Sequence, residues 1–212
     1  MLKYHEEPWP HYTGSLPDDF YEYVKDNWNT NDEDKKWNKI KNRSNTLIED
    51  DKIKTTLNES ALDILLKSES VFKKFYPRLD IKKVKCAYSH TFSENPPTDT
   101  GFPMRKSHID NGNKMVTGLW YFKNENEEDD GGHLRLKNPI TNKEKQFNYG
   151  ENKIILFPNT PISWHYITER KPSKYSRRFL CTMVESKVKL HDYKTINGKD
   201  TLTYGDVKNN YE

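Results

Sequence analysis

The sequence predicts a mainly β chain, a double-stranded β-helix or jelly roll, with N-terminal helices packed on one of its two sheets. From Ile81 onward, short runs rich in Val, Ile, Tyr, Phe and Trp are separated by the turn clusters SENPPTDTG, DNGN, ENEEDDGG and NYGEN. No helical segment alternates with these runs, as the crossovers of a parallel α/β sheet would require. Before Ile81 the apolar spacing is helical instead.

Phe20, Val24 and Trp28 recur every four positions and predict one amphipathic helix. A second is predicted over 59 to 77, ESALDILLKSESVFKKFYP, where Leu62, Leu65, Leu66 and Phe72 precede a Pro stop. The polar stretch NTNDEDKKWNK connects them. Strands are expected near 82 to 92, 103 to 109, 114 to 123, 132 to 136, 144 to 148, 153 to 157, 162 to 168 and 177 to 186. The polar tail from Lys187 has few apolar anchors and is expected to pack loosely. The organisation read from this is one domain over 1 to 212, with helical support at 1 to 80, a jelly-roll core at 81 to 186 and a tail at 187 to 212.

Only 33% of the 212 residues are hydrophobic and the mean hydropathy is −1.09, yet five Trp, nine Phe and thirteen Tyr provide material for an aromatic core. A net charge of +3 is far below the basic excess that phosphate-dominated binding needs, so nucleic acid is not implied. Cys86 and Cys181 are too few for a disulfide framework and point to a reducing, cytoplasmic setting. The start, MLKYHEEPWPHY, lacks the apolar stretch of a signal peptide, and no run reaches the length of a membrane span.

In RKSHIDNGN, His108 and Asp110 stand two apart at the end of an expected strand, so both side chains point to one sheet face. In isolation the pair equally suits a surface turn. NKIILFPNTPISWHYIT then supplies a strand, a Pro-containing turn and a second strand carrying His165. Two imidazoles and a carboxylate on one face form the facial triad of non-haem Fe(II) oxygenases and leave coordination positions open. Beyond His165, Arg177 or Arg178 can pair with the distal carboxylate of 2-oxoglutarate. Strand parity decides between them. The reading leans to Arg178, which would leave Phe179, Cys181 and Met183 as an apolar face for the helices.

Taken in order, HID, VTGLWYF at 116 to 122, GGHLRL at 131 to 136, IILF, SWH and RRFLCT resemble the Fe(II)/2-oxoglutarate dioxygenases, and within them the prolyl-hydroxylase-like group. The resemblance implies that His108, Asp110 and His165 bind Fe(II). It implies further that Tyr121 helps hold the co-substrate's distal carboxylate, that Thr182 fills the position four after the arginine, and that Tyr88 is another pocket residue. Two departures stand out. Phe179 or Leu180 replaces a small residue two after the arginine, and the Pro-rich connection from Ser93 to Gly101 is the chain's own.

The implied activity is hydroxylation of a substrate C–H bond, with a peptidyl proline as candidate substrate and release of succinate and CO2. Fe(II), 2-oxoglutarate and O2 are the expected cofactors, with ascorbate a candidate addition. The expected partners are 2-oxoglutarate and an unidentified peptide or small molecule. Two other readings stay open: a cupin-like metal-binding oxygenase without 2-oxoglutarate, and a non-catalytic jelly-roll binding protein in which the three ligands are incidental.

Overall fold

Short β-rich segments from both ends of the chain build one large antiparallel sheet, and a smaller sheet faces it across a cavity. The computed structural model describes residues 2–28, 36–38, 43–196 and 199–204. The N-terminal third comprises β1 (Lys3–His5), β2 (His11–Gly14), α1 (Asp18–Asp26), β3 (Lys36–Asn38), β4 (Arg43–Leu47), α2 (Asp51–Lys67) and α3 (Glu69–Phe75). A single 3-10 turn at Ile81–Lys83 leads into β5 (Cys86–Asn95), β6 (Lys114–Phe122), β7 (Leu134–Lys137), β8 (Glu144–Phe147) and β9 (Glu151–Pro158). The chain continues through β10 (Trp164–Ile167), β11 (Arg177–Ser186), β12 (His191–Ile196) and β13 (Lys199–Tyr204).

The large sheet has the order β1-β2-β9-β6-β11-β5-β4-β3, the smaller β10-β7-β8, and β12 pairs with β13. This is the mainly β, double-sheet arrangement that the sequence predicts. The expected strand at 103 to 109 is irregular, because Pro103 has no N–H to give to a ladder. It still runs antiparallel to β10, with backbone bonds from Phe102 to Arg170, Arg105 to Ile167 and His108 to His165. The turn into β7 is tight. Gly131 and Gly132 have φ of +85° and +71°, and a Cβ at Gly131 would lie 2.2 Å from the Glu169 carbonyl oxygen.

The helices cover one face of the large sheet. Ile53, Leu57, Ala61, Ile64 and Leu65 of α2 are buried with Val116, Trp120, Leu156, Leu180 and Val184. Asp50 caps α2 by accepting from the Ile53 N–H at 2.8 Å. Phe20, Val24 and Trp28 are buried as their spacing predicts, as are Leu65 and Phe72, but Leu62 and Leu66 face outward. The sheet meets α2 along the Ile53, Leu57, Ala61 and Ile64 stripe, which turns Leu62 and Leu66 away.

Two expectations change at the chain's ends. The N-terminal third is not helical throughout, since β1 to β4 extend the large sheet at both edges, with β2 on β9 and β4 on β5. Their lengths of three to five residues are too short for a period-2 pattern to show. The connection at 29 to 39 lies mostly outside the described residues. After β11 the chain does not detach, because Val188 and Leu190 enter the core and the Leu190 N–H bonds the Gly112 carbonyl at 2.9 Å. Residues 205 to 212 lie outside the described residues. No helix among the described residues is long and apolar enough to cross a membrane.

Beneath the helices, a polar chain runs through the core. Trp120 Nε1–H donates to Thr182 Oγ1 at 3.2 Å, and Thr182 Oγ1 lies 3.2 Å from His90 Nδ1. His90 Nε2 lies 2.7 Å from Asn58 Oδ1 of α2. A neutral His90 that donates from Nε2 and accepts at Nδ1 satisfies every member. Burial lowers this ring from its ordinary 6.5 to about 4. The unfolded chain therefore binds the proton more readily between those values, and stability falls as the pH drops through that window. Urea denaturation at pH 7 and pH 5 is expected to show a loss of about 2 kcal/mol from His90, with a shallower loss in His90→Gln. Leu190→Ala is expected to cost about 2 to 5 kcal/mol at pH 7, by the same measurement, if the post-β11 segment is core.

Candidate active site

His108 and His165 are placed opposite each other by their backbones. The His108 N–H donates to the His165 carbonyl at 3.0 Å, and the His165 N–H returns a bond at 2.9 Å. Their ring centroids are 4.6 Å apart. Asp110 follows where the chain turns into β6, and its carboxylate accepts from Thr117 Oγ1 at 2.8 Å and Lys114 Nζ at 3.1 Å. Ligand atoms of His108, Asp110 and His165 all lie within 4.8 Å of one another. The three thus converge through an isolated backbone bridge and a tethered turn, not through the parity of a regular strand.

The hydrogen bonds prepare these groups as metal ligands. His108 Nδ1 is 3.0 Å from the Lys106 carbonyl oxygen, and His165 Nδ1 is 3.0 Å from the Ser163 carbonyl oxygen. A carbonyl only accepts, so each Nδ1 carries the proton and each Nε2 keeps its lone pair. Burial lowers the His165 ring further, which Asp110 offsets only in part, and favours the neutral imidazole that a metal requires. Burial also opposes charge on Asp110, but His165, the Lys114 ammonium and the Thr117 hydroxyl outweigh it and hold the carboxyl well below its usual range. Two neutral Nε2 donors and one carboxylate fit a facial Fe(II) site.

These residues open on a cavity of about 710 Å³ between the two sheets. Thr117 and Leu119 of β6, Phe157 of β9, and Arg177, Phe179, Cys181 and Met183 of β11 line it. Arg177 is buried, with its Nε–H donating to the Gly132 carbonyl at 3.0 Å and Nη2 to the Tyr121 hydroxyl at 3.3 Å. Its guanidinium carbon lies about 5 Å from the rings of Tyr121, Tyr149 and Phe179. Among the described residues no carboxylate forms an ion pair with Arg177.

Arg178, on the other face of β11, bonds Glu94 at 3.2 Å and lies over the Trp28 ring at 5.8 Å. Arg177 is therefore the arginine that enters the cavity, contrary to the sequence preference for Arg178. Phe179, Cys181 and Met183 turn toward the cavity, while Leu180 and Val184 meet the helices. Thr182 belongs to the helix side through His90 and Trp120. Tyr88, paired with Val184, is 36% exposed and does not line the cavity. Tyr121 sits beneath Arg177 in an aromatic cluster with Tyr149 and Phe179. Sequence reasoning passed over Arg43, Arg105, Lys114 and Thr117, all of which line the cavity. Thr117 alone left a signal, since it shares strand parity with Tyr121.

Residues 99–183 match the family model of the 2OG-Fe(II) oxygenase superfamily. Over that stretch the chain is similar to the 2OG-Fe(II) oxygenases. The matched stretch contains the triad and Arg177, and the family uses Fe(II), 2-oxoglutarate and O2. Among solved structures, a Pseudomonas putida prolyl-4-hydroxylase is similar with a TM-score of 0.57 and 15% identity, over 82% of this chain and 92% of that one. A Trichoplax adhaerens prolyl hydroxylase, solved with a hypoxia inducible factor peptide fragment, gives 0.44 and 21% over 68% and 63%. A Burkholderia pseudomallei oxidoreductase of the 2OG-Fe(II) oxygenase family gives 0.48 and 12% over 82% and 84%. No curated protein sequence matches the chain significantly.

His165→Ala is expected to weaken Mn(II) binding by far more than tenfold in equilibrium dialysis. Thr117→Val, which leaves the ligands but removes a bond orienting Asp110, is expected to weaken it about tenfold.

Proposed function

We propose that this oxygenase hydroxylates a C–H bond of its substrate while 2-oxoglutarate is converted to succinate and CO2. The observation that carries this reading is Arg177, a buried guanidinium without a carboxylate partner among the described residues, in the same cavity as the triad. A buried cation is costly unless an anion meets it. The distal carboxylate of 2-oxoglutarate provides that anion with the planar geometry a guanidinium prefers. A cupin-like oxygenase working without 2-oxoglutarate would leave Arg177 unmatched.

In this reading His108, Asp110 and His165 hold Fe(II), which together with 2-oxoglutarate and O2 supplies the oxidant for the C–H bond. Gly132 fixes Arg177 through its carbonyl, so the remaining guanidinium edge stays aimed at the co-substrate. The Tyr121 hydroxyl, already bonded by Arg177, adds a second polar contact for the same carboxylate. Leu119, Phe157, Ile167 and Phe179 supply apolar walls that exclude water from the reacting atoms. Lys114 and Thr117 keep Asp110 ionised and oriented. A prolyl carbon is the first substrate to test, because the fold resembles that of the Pseudomonas putida prolyl-4-hydroxylase. The cytoplasmic setting stays part of the proposal, supported by two cysteines, Cys86 and Cys181, that form no disulfide.

Succinate formation by Fe(II)-reconstituted protein, with and without Pro-containing peptides, tests the reaction. Arg177→Gln is expected to raise the dissociation constant for 2-oxoglutarate at least tenfold, about 1.4 kcal/mol or more, and Arg178→Gln to change it less than twofold. Equal effects of the two variants would remove Arg177 from the co-substrate site.

A further inference from the structure

The Asp110 carboxylate offers a metal two oxygens, and a different donor stands on each. Oδ2 accepts from the Thr117 hydroxyl at 2.8 Å, and Thr117 Oγ1 in turn accepts from Asn159 Nδ2–H at 2.8 Å. Asn159 is buried and its backbone N–H bonds the Met115 carbonyl at 2.9 Å, so this side of the carboxylate is held by a neutral, fixed chain. Oδ1 accepts from the Lys114 ammonium at 3.1 Å. The two donors differ by a full charge.

Lys114 and Asp110 are the two ends of one tight turn. The Lys114 N–H bonds the Asn111 carbonyl at 2.9 Å, and a side chain at Gly112 would run into the His191 backbone, so the turn has little room to shift. The Lys114 side chain is part-buried and lines the cavity beside the triad. Glu185, its partner across β6 and β11, lines the same cavity and places a second carboxylate on that side. The ammonium therefore keeps an acidic neighbour when Asp110 shares its charge with a metal ion.

The number of Asp110 oxygens on the metal decides whether O2 has a place to bind. An octahedral ion has six positions, of which His108, His165 and one Asp110 oxygen take three, and the keto and carboxylate oxygens of a 2-oxo acid take two. The second Asp110 oxygen would fill the last. An oxygen that accepts from a neutral hydroxyl keeps a lone pair for a cation, whereas an ammonium seated on an oxygen repels one. We infer that Lys114 is a positioning residue that holds Asp110 Oδ1 off the metal, so that the ion is bound through Oδ2 alone and keeps one position open for O2. This rests on the oxygenase reading of the same site. It assigns Lys114 a task that Thr117 does not share.

Metal-bound water reports the open position without turnover. In water enriched in the magnetic oxygen isotope, wild-type protein with Mn(II) and saturating 2-oxoglutarate is expected to show EPR line broadening from one coordinated water. Lys114→Met keeps the chain length without the charge and is expected to lose that broadening while its Mn(II) affinity stays within about tenfold of wild type. Lys114→Arg is expected to restore the water. Thr117→Val leaves the ammonium in place and is expected to retain the water even as it binds Mn(II) more weakly. Nitric oxide, which takes the position of O2, gives a second readout: anaerobic Fe(II) protein with 2-oxoglutarate is expected to bind it at least about tenfold more weakly in Lys114→Met. If Lys114→Met does not fold, the double variant Lys114→Met, Glu185→Gln, which removes one charge of each sign, takes its place. The inference fails if the neutral variant keeps the water and binds nitric oxide as the wild type does, or if Thr117→Val loses the water as well. It fails equally if the folded neutral variant takes up no Mn(II), because the lysine would then build the site and not set its open position. If the wild type took up neither Mn(II) nor 2-oxoglutarate, the oxygenase reading itself would fall, a result distinct from a wild-type site that Lys114→Met leaves unchanged.

Discussion

The alternation of β11 is the constraint on which both halves of the molecule depend. It lies between β5 and β6, antiparallel to each, and both its faces are covered. Arg177, Phe179, Cys181, Met183 and Glu185 line the cavity, and Leu180, Thr182 and Val184 meet the helix layer. A slip of one residue would exchange the two sets, setting Arg178 among the aromatic rings and Leu180 in the cavity. The Trp120, Thr182, His90 and Asn58 chain resists that slip, because its polar atoms are satisfied in one register only.

The triad depends on a different kind of pairing. His108 lies on an irregular run, yet the reciprocal backbone bonds to His165 place it as securely as a strand would. Asp110 needs further support because it lies beyond that bridge. The last residue of β11 and the segment after it provide it, with Ser186 bonded to Asn113, Leu190 bonded to Gly112, and the His191 ring close to both the Tyr76 hydroxyl and the Asp110 carbonyl. The chain's C-terminal stretch therefore backs the turn that carries the carboxylate ligand.

Much of this was legible in the sequence where a periodic signal was long enough. β6, β9 and β11 are apolar runs bounded by turn clusters, and the HID and SWH segments pointed to the triad. The arginine was not legible because RRFLCTMV is apolar on both faces after its first two residues, which erases the alternation that parity arguments need. β1 to β4 are too short to display a period, and in α2 the choice between Leu62 and Ala61 as core residue depends on where the sheet lies. Arg43 sits in a polar stretch of the sequence and Arg105 directly after Phe102, Pro103 and Met104, and only tertiary structure carries both into the cavity.

A buried ion pair outside the cavity shows why Arg177 can be held so closely. Glu127 and Arg170 meet at 2.7 Å with side chains about 1% exposed. Burial raises the Glu127 carboxyl, Arg170 opposes that, and Arg170 Nε and Nη1 find no partner among the described residues. Such a pair contributes little net stability after desolvation, so its value lies in specifying geometry. Arg170 also bonds the Tyr175 carbonyl at 2.8 Å, and its own backbone pairs with Phe102. The neighbouring Glu169 carbonyl accepts from Gly132 N–H, and Gly132 in turn accepts from Arg177 Nε–H. The loop before β7, the run beside β10 and the start of β11 thus share one fixed point. The guanidinium facing the cavity is set by backbone that this ion pair holds in place.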